Sequence, residues 1–287
     1  MIHLNAISLD YEPRRKILFK LSNYGRGLER LIGMTESESA FLCGAIKQFR
    51  PKKILEVGVS TGGSTAIILQ ALEDNGASYE MHSVDILKKW SDSNTEDIGF
   101  LVTFAKENNL INSEGLRGLH EFYCGKILPQ VIDEIGGDID FVILDTVHFL
   151  LGEVLDFLAM LPYLKDGAVV VLHDVALNQY KRQTGWADAC ATGVLFSAVV
   201  AEKILNFDEQ TLFRYPNIAA FRINAQTLKN IENVFLSLIL DWKYLPSEEQ
   251  LLVYRKLYQK LYPAELCEIF QEAVDMNAYN SYLVQHK

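Results

Sequence analysis

Residues 54–69 read ILEVGVSTGGSTAIIL, an apolar run that passes through a glycine-rich turn into a second apolar run. A short apolar run bounded by glycine is typical of a buried parallel strand, and the second run favours a helix. Gly58, Gly62 and Gly63 would let the backbone approach a ligand where the following helix presents its free N–H groups. The stretch therefore predicts a strand, a turn and a helix that bind a nucleotide cofactor.

The spacing of these glycines excludes two common nucleotide-binding motifs. It does not fit G-x-G-x-x-G, and the chain has no G-x-x-x-x-G-K-[ST], so a dinucleotide fingerprint and a P-loop are both absent. Instead, E-x-G-x-x-x-G-G-S resembles motif I of the class I S-adenosylmethionine-dependent methyltransferases, closest to the small-molecule O-methyltransferases. The resemblance implies S-adenosylmethionine as cofactor, bound by Glu56, Gly58, Ser60, Gly62, Gly63 and Ser64. The alternative is a turn whose glycines serve packing alone.

An acidic residue after the next strand fits the same kind of site. The strand-like run 81–85 ends in Asp85, 29 residues after Glu56, which is about one strand-helix-strand unit. A carboxylate there can accept hydrogen bonds from both ribose hydroxyls of an adenosyl group. Residues 121–132 resemble the adenine-side strand and loop of the same enzymes, which implies that Gly125 allows the base to come close.

Two further apolar runs end in an Asp and a His. The run 141–144 is followed by Asp145 and His148, and the run 168–172 by His173 and Asp174. Near-continuous apolar runs are typical of strands covered on both faces, and ligands of open α/β sheets bind outside the carboxyl ends of such strands. We therefore expect these four side chains to converge beside the cofactor turn. The paired endings resemble O-methyltransferases that act on sugars and macrolide-like natural products.

Methyl transfer from a sulfonium needs an acceptor hydroxyl held in line with the methyl group and a group that removes the hydroxyl proton. A histidine with a pKa of about 6.5 suits that role. We expect His173 or His148 to be the base, with Asp145 in the catalytic set. His173 is slightly favoured because it adjoins the polar segment 176–192, which is long enough to form a substrate loop.

A divalent metal ion is the alternative to a histidine base. Asp145 and Asp174 could hold Mg²⁺ or Mn²⁺, which prefer oxygen ligands and lower the pKa of a bound hydroxyl. Related catechol-type enzymes use an Asp and a later Asp-Asn pair, but Val175 stands in the place of that Asn. Histidines that only make hydrogen bonds at the sheet edge are the third alternative.

The core is predicted to be an α/β fold over residues 35–224. The resemblance implies a doubly wound, Rossmann-like sheet of seven mostly parallel strands with an antiparallel last strand. A capping box, Thr35 to Glu38, predicts a helix that leads into the first strand. A helix is expected from about 193 to 206, and residues 211–223 are predicted to form a hairpin.

Helical extensions are predicted on both sides of this core. Residues 1–34 would form the N-terminal one, and residues 225–287 the C-terminal one, with helices over 228–244, over 251–261 after a Ser247 capping box, and from Pro263 onward. Aromatic residues at helical spacing in the C-terminal extension favour core or interface packing, so a homo-oligomer through these helices is one expectation. A lid over the acceptor is the other.

Composition narrows the class of protein. A chain of 287 residues that is 49% hydrophobic can bury the core of one α/β domain with appendages, or of two domains at most. A net charge of −10 argues against nucleic acid as a partner. Four cysteines without C-x-x-C indicate neither a zinc site nor a disulfide framework. No long apolar stretch or signal peptide is visible, so we expect a cytoplasmic protein without a membrane span.

Three functional classes remain open from the sequence. The favoured one is methyl transfer from S-adenosylmethionine to a hydroxyl of a small molecule, such as a sugar or a natural-product precursor. A nicotinamide-dependent oxidoreductase on a related sheet is the second, and the missing third glycine counts against it. The third is a non-catalytic nucleotide-binding or scaffold protein. The absence of N-P-P-[YF], which marks amino-methylating relatives, favours oxygen as the acceptor atom.

Overall fold

The computed structural model describes residues 1–24, 27–90, 95–181, 185–207 and 214–285, with side chains as far as residue 280. One sheet crosses the described part of the chain. Its strands are β1 (Ile2–Leu4), β2 (Lys53–Val57), β3 (Glu80–Asp85), β4 (Leu119–Cys124), β5 (Ile139–Leu144), β6 (Leu164–His173), β7 (Glu202–Leu205) and β8 (Ile218–Arg222). Their order in the sheet is β1-β7-β8-β6-β5-β2-β3-β4.

The sheet is mostly parallel, as predicted. Strands β2 to β6 pair in parallel with one another, whereas β8 runs antiparallel to both β6 and β7. The doubly wound fold with an antiparallel last strand is therefore confirmed. The number of strands is wrong, because the described residues form eight instead of seven. The additional strand is β1, which pairs in parallel with β7 and satisfies its outer edge.

The helix predicted from 193 to 206 is wrong over its second half. Helix α8 (Ala191–Ala198) ends early, and Glu202–Leu205 forms β7 instead. A four-residue segment is too short for a periodic pattern, and the open edge of β8 supplies the pairing that makes it a strand. Residues 208–213, which carry most of the first predicted hairpin strand, lie outside the described residues, and the second strand is confirmed as β8.

Helices cover both faces of the sheet. In chain order they are α1 (Glu12–Ser22), α2 (Glu36–Phe49), α3 (Gly63–Asn75), α4 (Phe100–Glu107), α5 (Ile132–Ile135), α6 (Gly152–Met160), α7 (Leu177–Tyr180), α8, α9 (Ala225–Lys229), α10 (Glu232–Leu236), α11 (Glu248–Leu261) and α12 (Ala264–Gln285). Side chains of α1 to α4 fill one apolar core, and side chains of α5, α6, α8 and α10 to α12 fill the other. Among the described residues, none of the helices combines the length and the apolar character that a membrane span requires.

Helix starts follow the local sequence more closely than helix lengths do. The capping boxes at Thr35 and Ser247 are confirmed, each with its side chain accepting from the backbone three residues on. The long helix predicted over 228–244 is wrong. That stretch contains the end of α9, then α10 and a 3-10 turn, so that Phe235 and Trp242 can both enter the core.

Three tyrosines attach the C-terminal extension to the core. Tyr254, Tyr258 and Tyr262 follow one another at four-residue spacing on α11, so they lie on one face of the helix. Each hydroxyl donates to α6: Tyr254 to Asp156 Oδ1 at 2.6 Å, and the other two to backbone carbonyls at 2.7 and 2.6 Å. Helix α11 is therefore fixed beside the carboxyl edge of the sheet. The division at 34 and 224 and the expected homo-oligomer stay predictions.

Candidate functional site

A cavity of about 680 Å³ opens at the carboxyl ends of β2, β3, β5 and β6. Both groups of residues that the sequence singled out contribute to its lining. The predicted residues in its wall are Gly58, Ser60, Ser64, Asp85, Asp145, His148, His173 and Asp174. Glu56, Gly62, Gly63 and Gly125 are not part of this wall. One cavity thus joins the expected cofactor turn to the paired Asp and His residues.

The glycines of the turn after β2 serve the protein's own packing. A Cβ on Gly58, where φ is +93°, would collide with the backbone carbonyl of Asp145 on the neighbouring strand. A Cβ on Gly62 would meet the start of α4 at 2.7 Å, and one on Gly63 would meet Ile32 at 2.8 Å. The tight turn needs glycine at these positions because neighbouring chain segments leave no room for a Cβ atom. The contact of these glycines with a cofactor, which the sequence predicted, stays a prediction.

Asp85 connects the turns after β2 and β3. Its Oδ2 accepts hydrogen bonds from the backbone N–H groups of Val59 at 2.9 Å and Ser60 at 3.0 Å. Its Oδ1 accepts from Leu87 N at 2.8 Å. The carboxylate is therefore held in one orientation at the cavity wall. Gly125 lies behind that wall, where a Cβ would meet the side chain of Lys88 at 2.5 Å.

Glu56 is fully buried on β2 and stands behind the cofactor turn. Its carboxyl accepts from Ser83 Oγ at 2.7 Å, from Thr65 Oγ1 at 2.9 Å and from Ser64 Oγ at 3.3 Å. Burial raises the pKa of Glu56 to about 7, although these hydrogen bonds act in the opposite direction. Glu56 thus joins the first turn of α3 to the sheet, and only Ser64 connects it to the cavity.

The two strand endings bring four titratable side chains together. His173 Nδ1 lies 3.2 Å from Asp145 Oδ1 and 3.4 Å from Asp174 Oδ2. His148 Nδ1 lies 3.4 Å from Asp174 Oδ2 and 3.8 Å from Asp145 Oδ1. The convergence follows from the parallel pairing of β5 with β6, which sets both strand ends at one edge. His148 is the more accessible imidazole, with 21% of its side chain exposed against 10% for His173.

Two further residues of this cluster were missed by the sequence reasoning. Glu38, assigned there only to the capping box of α2, places Oε2 3.4 Å from His173 Nε2. Asn217 Nδ2 donates to Glu38 Oε1 at 3.0 Å and to Asp174 Oδ1 at 2.6 Å. A T-x-x-E pattern predicts a helix start and carries no sign of a distant partner. The link between α2 and β6 arises in the folded chain alone.

Glu153 was also missed, and it holds the loop after β5. It is fully buried, and its Oε1 accepts from the backbone N–H groups of His148 at 2.7 Å and Thr146 at 3.3 Å. His148 and Asp174 both have left-handed backbone, with φ of 63° and 61°. Such conformations are uncommon outside glycine and gather at functional sites. The backbone contacts of Glu153 hold one of them in place.

Negative charge exceeds positive charge in the cluster. Burial raises the pKa values of Asp174 and Glu153. Burial would also raise those of Asp145 and Glu38, but His173 outweighs it, lowering the pKa of Asp145 and helping to lower that of Glu38 to about 2. The same carboxylates hold the pKa of His173 well above its usual value despite its burial. The site therefore favours a bound proton or a cation.

Aromatic rings stand beside His148. Trp186 stacks on Phe149 with ring centroids 5.5 Å apart, and its centroid lies 6.0 Å from that of His148. Trp186 belongs to the segment 176–192, which was predicted to form a substrate loop and of which residues 182–184 lie outside the described part. The segment returns to the site where Thr192 Oγ1 donates to the Asp174 carbonyl at 2.8 Å.

The C-terminal extension forms one wall of the cavity. Tyr244, Pro246, Gln250 and Tyr254 line it together with Asp156 of α6. Burial raises the pKa of Asp156 to about 7, against the effect of its hydrogen bond from Tyr254. The sequence left core or interface packing and a lid over the acceptor as alternatives for these helices. Their packing on α6 makes them part of the site.

Residues 55–175 match the sequence profile of a family described as a methyltransferase domain. This segment begins in β2 and ends directly after Asp174, so it contains every residue that the sequence predicted for the site. Residues 55–175 are thus similar to a methyltransferase domain. Among curated proteins, none matches the chain.

Three solved structures illustrate the similarity in fold. One is the O-methyltransferase TomG of tomaymycin synthesis from Streptomyces achromogenes in complex with SAM, at 17% identity and a TM-score of 0.46 over 77% of this chain and 93% of that one. The methyltransferase PaMTH1 from Podospora anserina, bound to SAH, has 12% identity and a TM-score of 0.48 over 76% and 90%. An O-methyltransferase from Bacillus cereus in complex with SAH has 16% identity and a TM-score of 0.46 over 76% and 94%.

Proposed function

We propose that this chain transfers the methyl group of S-adenosylmethionine to a hydroxyl of a small molecule, with a sugar or a natural-product precursor as the acceptor class. The observation that carries the proposal is the shared cavity. It places the glycine turn and Asp85 on one side and the cluster of Asp145, His148, His173 and Asp174 on the other. A cofactor and an acceptor bound side by side would meet between them.

The residues of the cavity fit an adenosyl cofactor. A volume of about 680 Å³ lies within the usual range of ligand pockets. We propose that Ser60, Ser64 and the backbone at Gly58 hold the methionine half, with Asp85 on the ribose. Glu56, Gly62, Gly63 and Gly125 support the fit by shaping the turns from behind. When bound, the cofactor supplies the electrophilic methyl group.

Between the two histidines, the geometry favours His148 as the base. Both side chains line the cavity, but 21% of the His148 side chain is exposed against 10% for His173. A base must reach the proton that it removes. We therefore assign proton removal to His148, with Asp174 close enough to stabilise the imidazolium that forms. This choice replaces the slight preference for His173 that the sequence suggested.

We also propose a divalent metal ion at Asp145 and Asp174, with Mg²⁺ or Mn²⁺ as the ions considered from the sequence. The fit rests on the excess of buried carboxylates and on the buried imidazole nitrogens of this cluster that make no hydrogen bond within the described residues. A metal ion there would stabilise negative charge on the acceptor oxygen. The side chains themselves would orient the acceptor in line with the cofactor.

Calorimetry and a methyl-transfer assay test the proposed function together. We expect titration with S-adenosylhomocysteine to give saturable heat, while NAD at the same concentration gives none. Labelled S-adenosylmethionine should then pass its methyl group to members of a panel of hydroxylated sugars and natural-product precursors. Binding of NAD without binding of S-adenosylhomocysteine would instead identify a nicotinamide-dependent enzyme.

Removal of metal tests the metal part of the proposal. With an ion at Asp145 and Asp174, EDTA should abolish methyl transfer, and added Mg²⁺ or Mn²⁺ should restore it. S-adenosylhomocysteine binding serves as the control, because the cofactor turn holds none of the proposed ligands. Full activity in EDTA would leave His148 as the base without a metal.

A further inference from the structure

We propose that His173 is the third ligand of the metal site, through Nδ1, and that the site therefore selects a first-row transition ion over Mg²⁺. The inference rests on the proposed function for the metal ion at Asp145 and Asp174. It adds the nitrogen ligand, the side chains that orient it and the class of ion. His173 accordingly has a role different from that of His148.

The separations of His173 Nδ1 from the two proposed carboxylate ligands are those of a coordination shell. His173 Nδ1 lies 3.2 Å from Asp145 Oδ1 and 3.4 Å from Asp174 Oδ2. The two carboxylates approach within 4.8 Å of each other. Ligands at about 2.0 to 2.2 Å from a first-row ion stand roughly 3 to 3.5 Å apart around it. To share an ion, the two carboxylates would move toward each other.

The imidazole of His173 is buried without satisfying its own nitrogens. Only 8% of the residue is exposed, and neither ring nitrogen makes a hydrogen bond of good geometry with a described residue. Buried polar groups normally have partners, because an unsatisfied one costs roughly 1 to 3 kcal/mol. Nδ1 points at two carboxylate oxygens instead. An ion bound to all three would satisfy the nitrogen and both acids.

Glu38 supplies the support that a metal-binding histidine requires. Its Oε2 lies 3.4 Å from His173 Nε2 and is held by the backbone N–H and the hydroxyl of Thr35, both at 2.7 Å. Asn217 joins Glu38 to Asp174 by donating to both. Metal-binding histidines usually donate their second N–H to such a carboxylate, which leaves the other nitrogen free for the ion. Glu38 and Asn217 are thus positioning residues.

The donor atoms determine the class of ion. Mg²⁺ favours sites made of oxygen alone, whereas imidazole nitrogen suits zinc, iron, cobalt and nickel. Two carboxylates and one imidazole leave open positions that an acceptor hydroxyl could fill. His148 Nδ1 lies 3.4 Å from Asp174 and 3.8 Å from Asp145, so it forms a second candidate group with the same two carboxylates. We assign His148 to the role of base instead, because its side chain is the more exposed of the two, at 21% against 10%. It remains free to remove the proton.

Metal binding to the full-length, metal-free protein tests the inference without any assay of activity. We expect Co²⁺ to bind with one equivalent per chain and at least 100-fold more tightly than Mg²⁺ in calorimetry, with a visible d–d absorption spectrum that changes when His173 is replaced. His173→Ala should weaken Co²⁺ binding at least 100-fold. His173→Asp, which would make all three proposed ligand atoms oxygens, should reduce the preference for Co²⁺ over Mg²⁺. Glu38→Gln should weaken Co²⁺ binding 10- to 100-fold.

The matched control is His148→Ala, which removes an adjacent imidazole and should change Co²⁺ affinity by less than about threefold. Equal affinity of the wild-type protein for Co²⁺ and Mg²⁺ would overturn the inference without any variant. Unchanged Co²⁺ binding in a folded His173→Ala protein would do the same. S-adenosylhomocysteine binding is measured in parallel. A wild-type protein that does not bind it would contradict the proposed function, whereas a protein that binds it but does not prefer Co²⁺ would contradict the ligand assignment alone.

Discussion

The two sides of the cavity differ in how many of their polar atoms have hydrogen-bond partners. At the cofactor turn, Glu56 accepts from three hydroxyls and Asp85 from three backbone N–H groups. At the paired strand endings, His148 Nδ1, both nitrogens of His173 and Glu153 Oε2 are buried without a hydrogen bond among the described residues. The satisfied side forms a frame, and the unsatisfied side requires a proton, an ion or a substrate.

The difference comes from the kind of donors that each side offers. Around Glu56 the donors are neutral hydroxyls that the fold supplies whether or not a ligand is bound. Around Asp145 and Asp174 the partners are the imidazoles of His148 and His173, and nearby carboxylates hold the pKa of His173 well above its usual value despite its burial. A bound cation should therefore stabilise Asp145 and Asp174 more than Glu56. Substitutions at the paired strand endings should therefore change kcat, whereas substitutions at the cofactor turn should change stability or cofactor affinity.

The largest effect is expected from the unsatisfied side. His148→Ala should lower kcat by about 10²- to 10⁴-fold, because it removes the proposed base, while the affinity for S-adenosylhomocysteine stays unchanged. Steady-state kinetics and calorimetry measure the two quantities. His3→Ala, on the edge strand β1, is the matched control and should retain full kcat. A fully active His148→Ala enzyme with an unaltered pH profile would remove His148 from the mechanism.

Glu56, behind the cofactor turn, should make the free energy of unfolding depend on pH. The pKa of Glu56 is about 7 in the folded protein, above its usual value of 4.5. Between these values the folded state binds more protons than the unfolded state, so the contribution of Glu56 to the free energy of unfolding falls as pH rises from about 4.5 to 7, by at most roughly 3 kcal/mol. Urea unfolding of wild type and Glu56→Gln across this range measures it. Identical pH slopes for the two proteins would contradict the assignment.

Removal of Asp85 should weaken cofactor binding by a smaller amount. Asp85→Ala takes away the carboxylate proposed to hold the ribose, and hydrogen bonds to a charged group contribute about 1.5 to 3 kcal/mol. Calorimetry with S-adenosylhomocysteine gives the value directly. Because Asp85 also holds the backbone at Val59 and Ser60, Asp85→Asn separates the two roles. Wild-type affinity in both variants would place the ribose elsewhere.

The smallest effect is expected at Asp156, on the wall of the cavity that the C-terminal extension forms. Asp156 lines the cavity and accepts one hydrogen bond, from Tyr254. Tyr254→Phe should lower the free energy of unfolding by about 1 to 2 kcal/mol, since it leaves a buried carboxyl with one donor fewer. Tyr258→Phe, which removes a bond to a carbonyl of the same helix, is the control at about 1 kcal/mol. A loss at Tyr254 no larger than at Tyr258 would show that Asp156 needs no donor.

Local patterns predicted the elements whose cause is local. The strand, turn and helix at 53–75 and the capping boxes follow from residues adjacent in the chain, and the structure has them as predicted. Strands β1 and β7 were missed because three or four residues carry no usable period, and pairing across the sheet makes them strands. Parallel pairing explains why the two strand endings could be expected to converge.

The amino-acid sequence was enough to show a resemblance to the class I methyltransferases, through the motif at 56–64 and the paired strand endings. It also named the acids and histidines at the carboxyl edge of the sheet, because turn chemistry and strand-end position are local properties. It could not show that Glu38 lies beside His173, that Asn217 joins Glu38 to Asp174, or that helix α11 lines the cavity. These contacts join residues far apart in the chain. They exist because burial in the folded protein brings charged groups within a few ångströms, where each must find a partner.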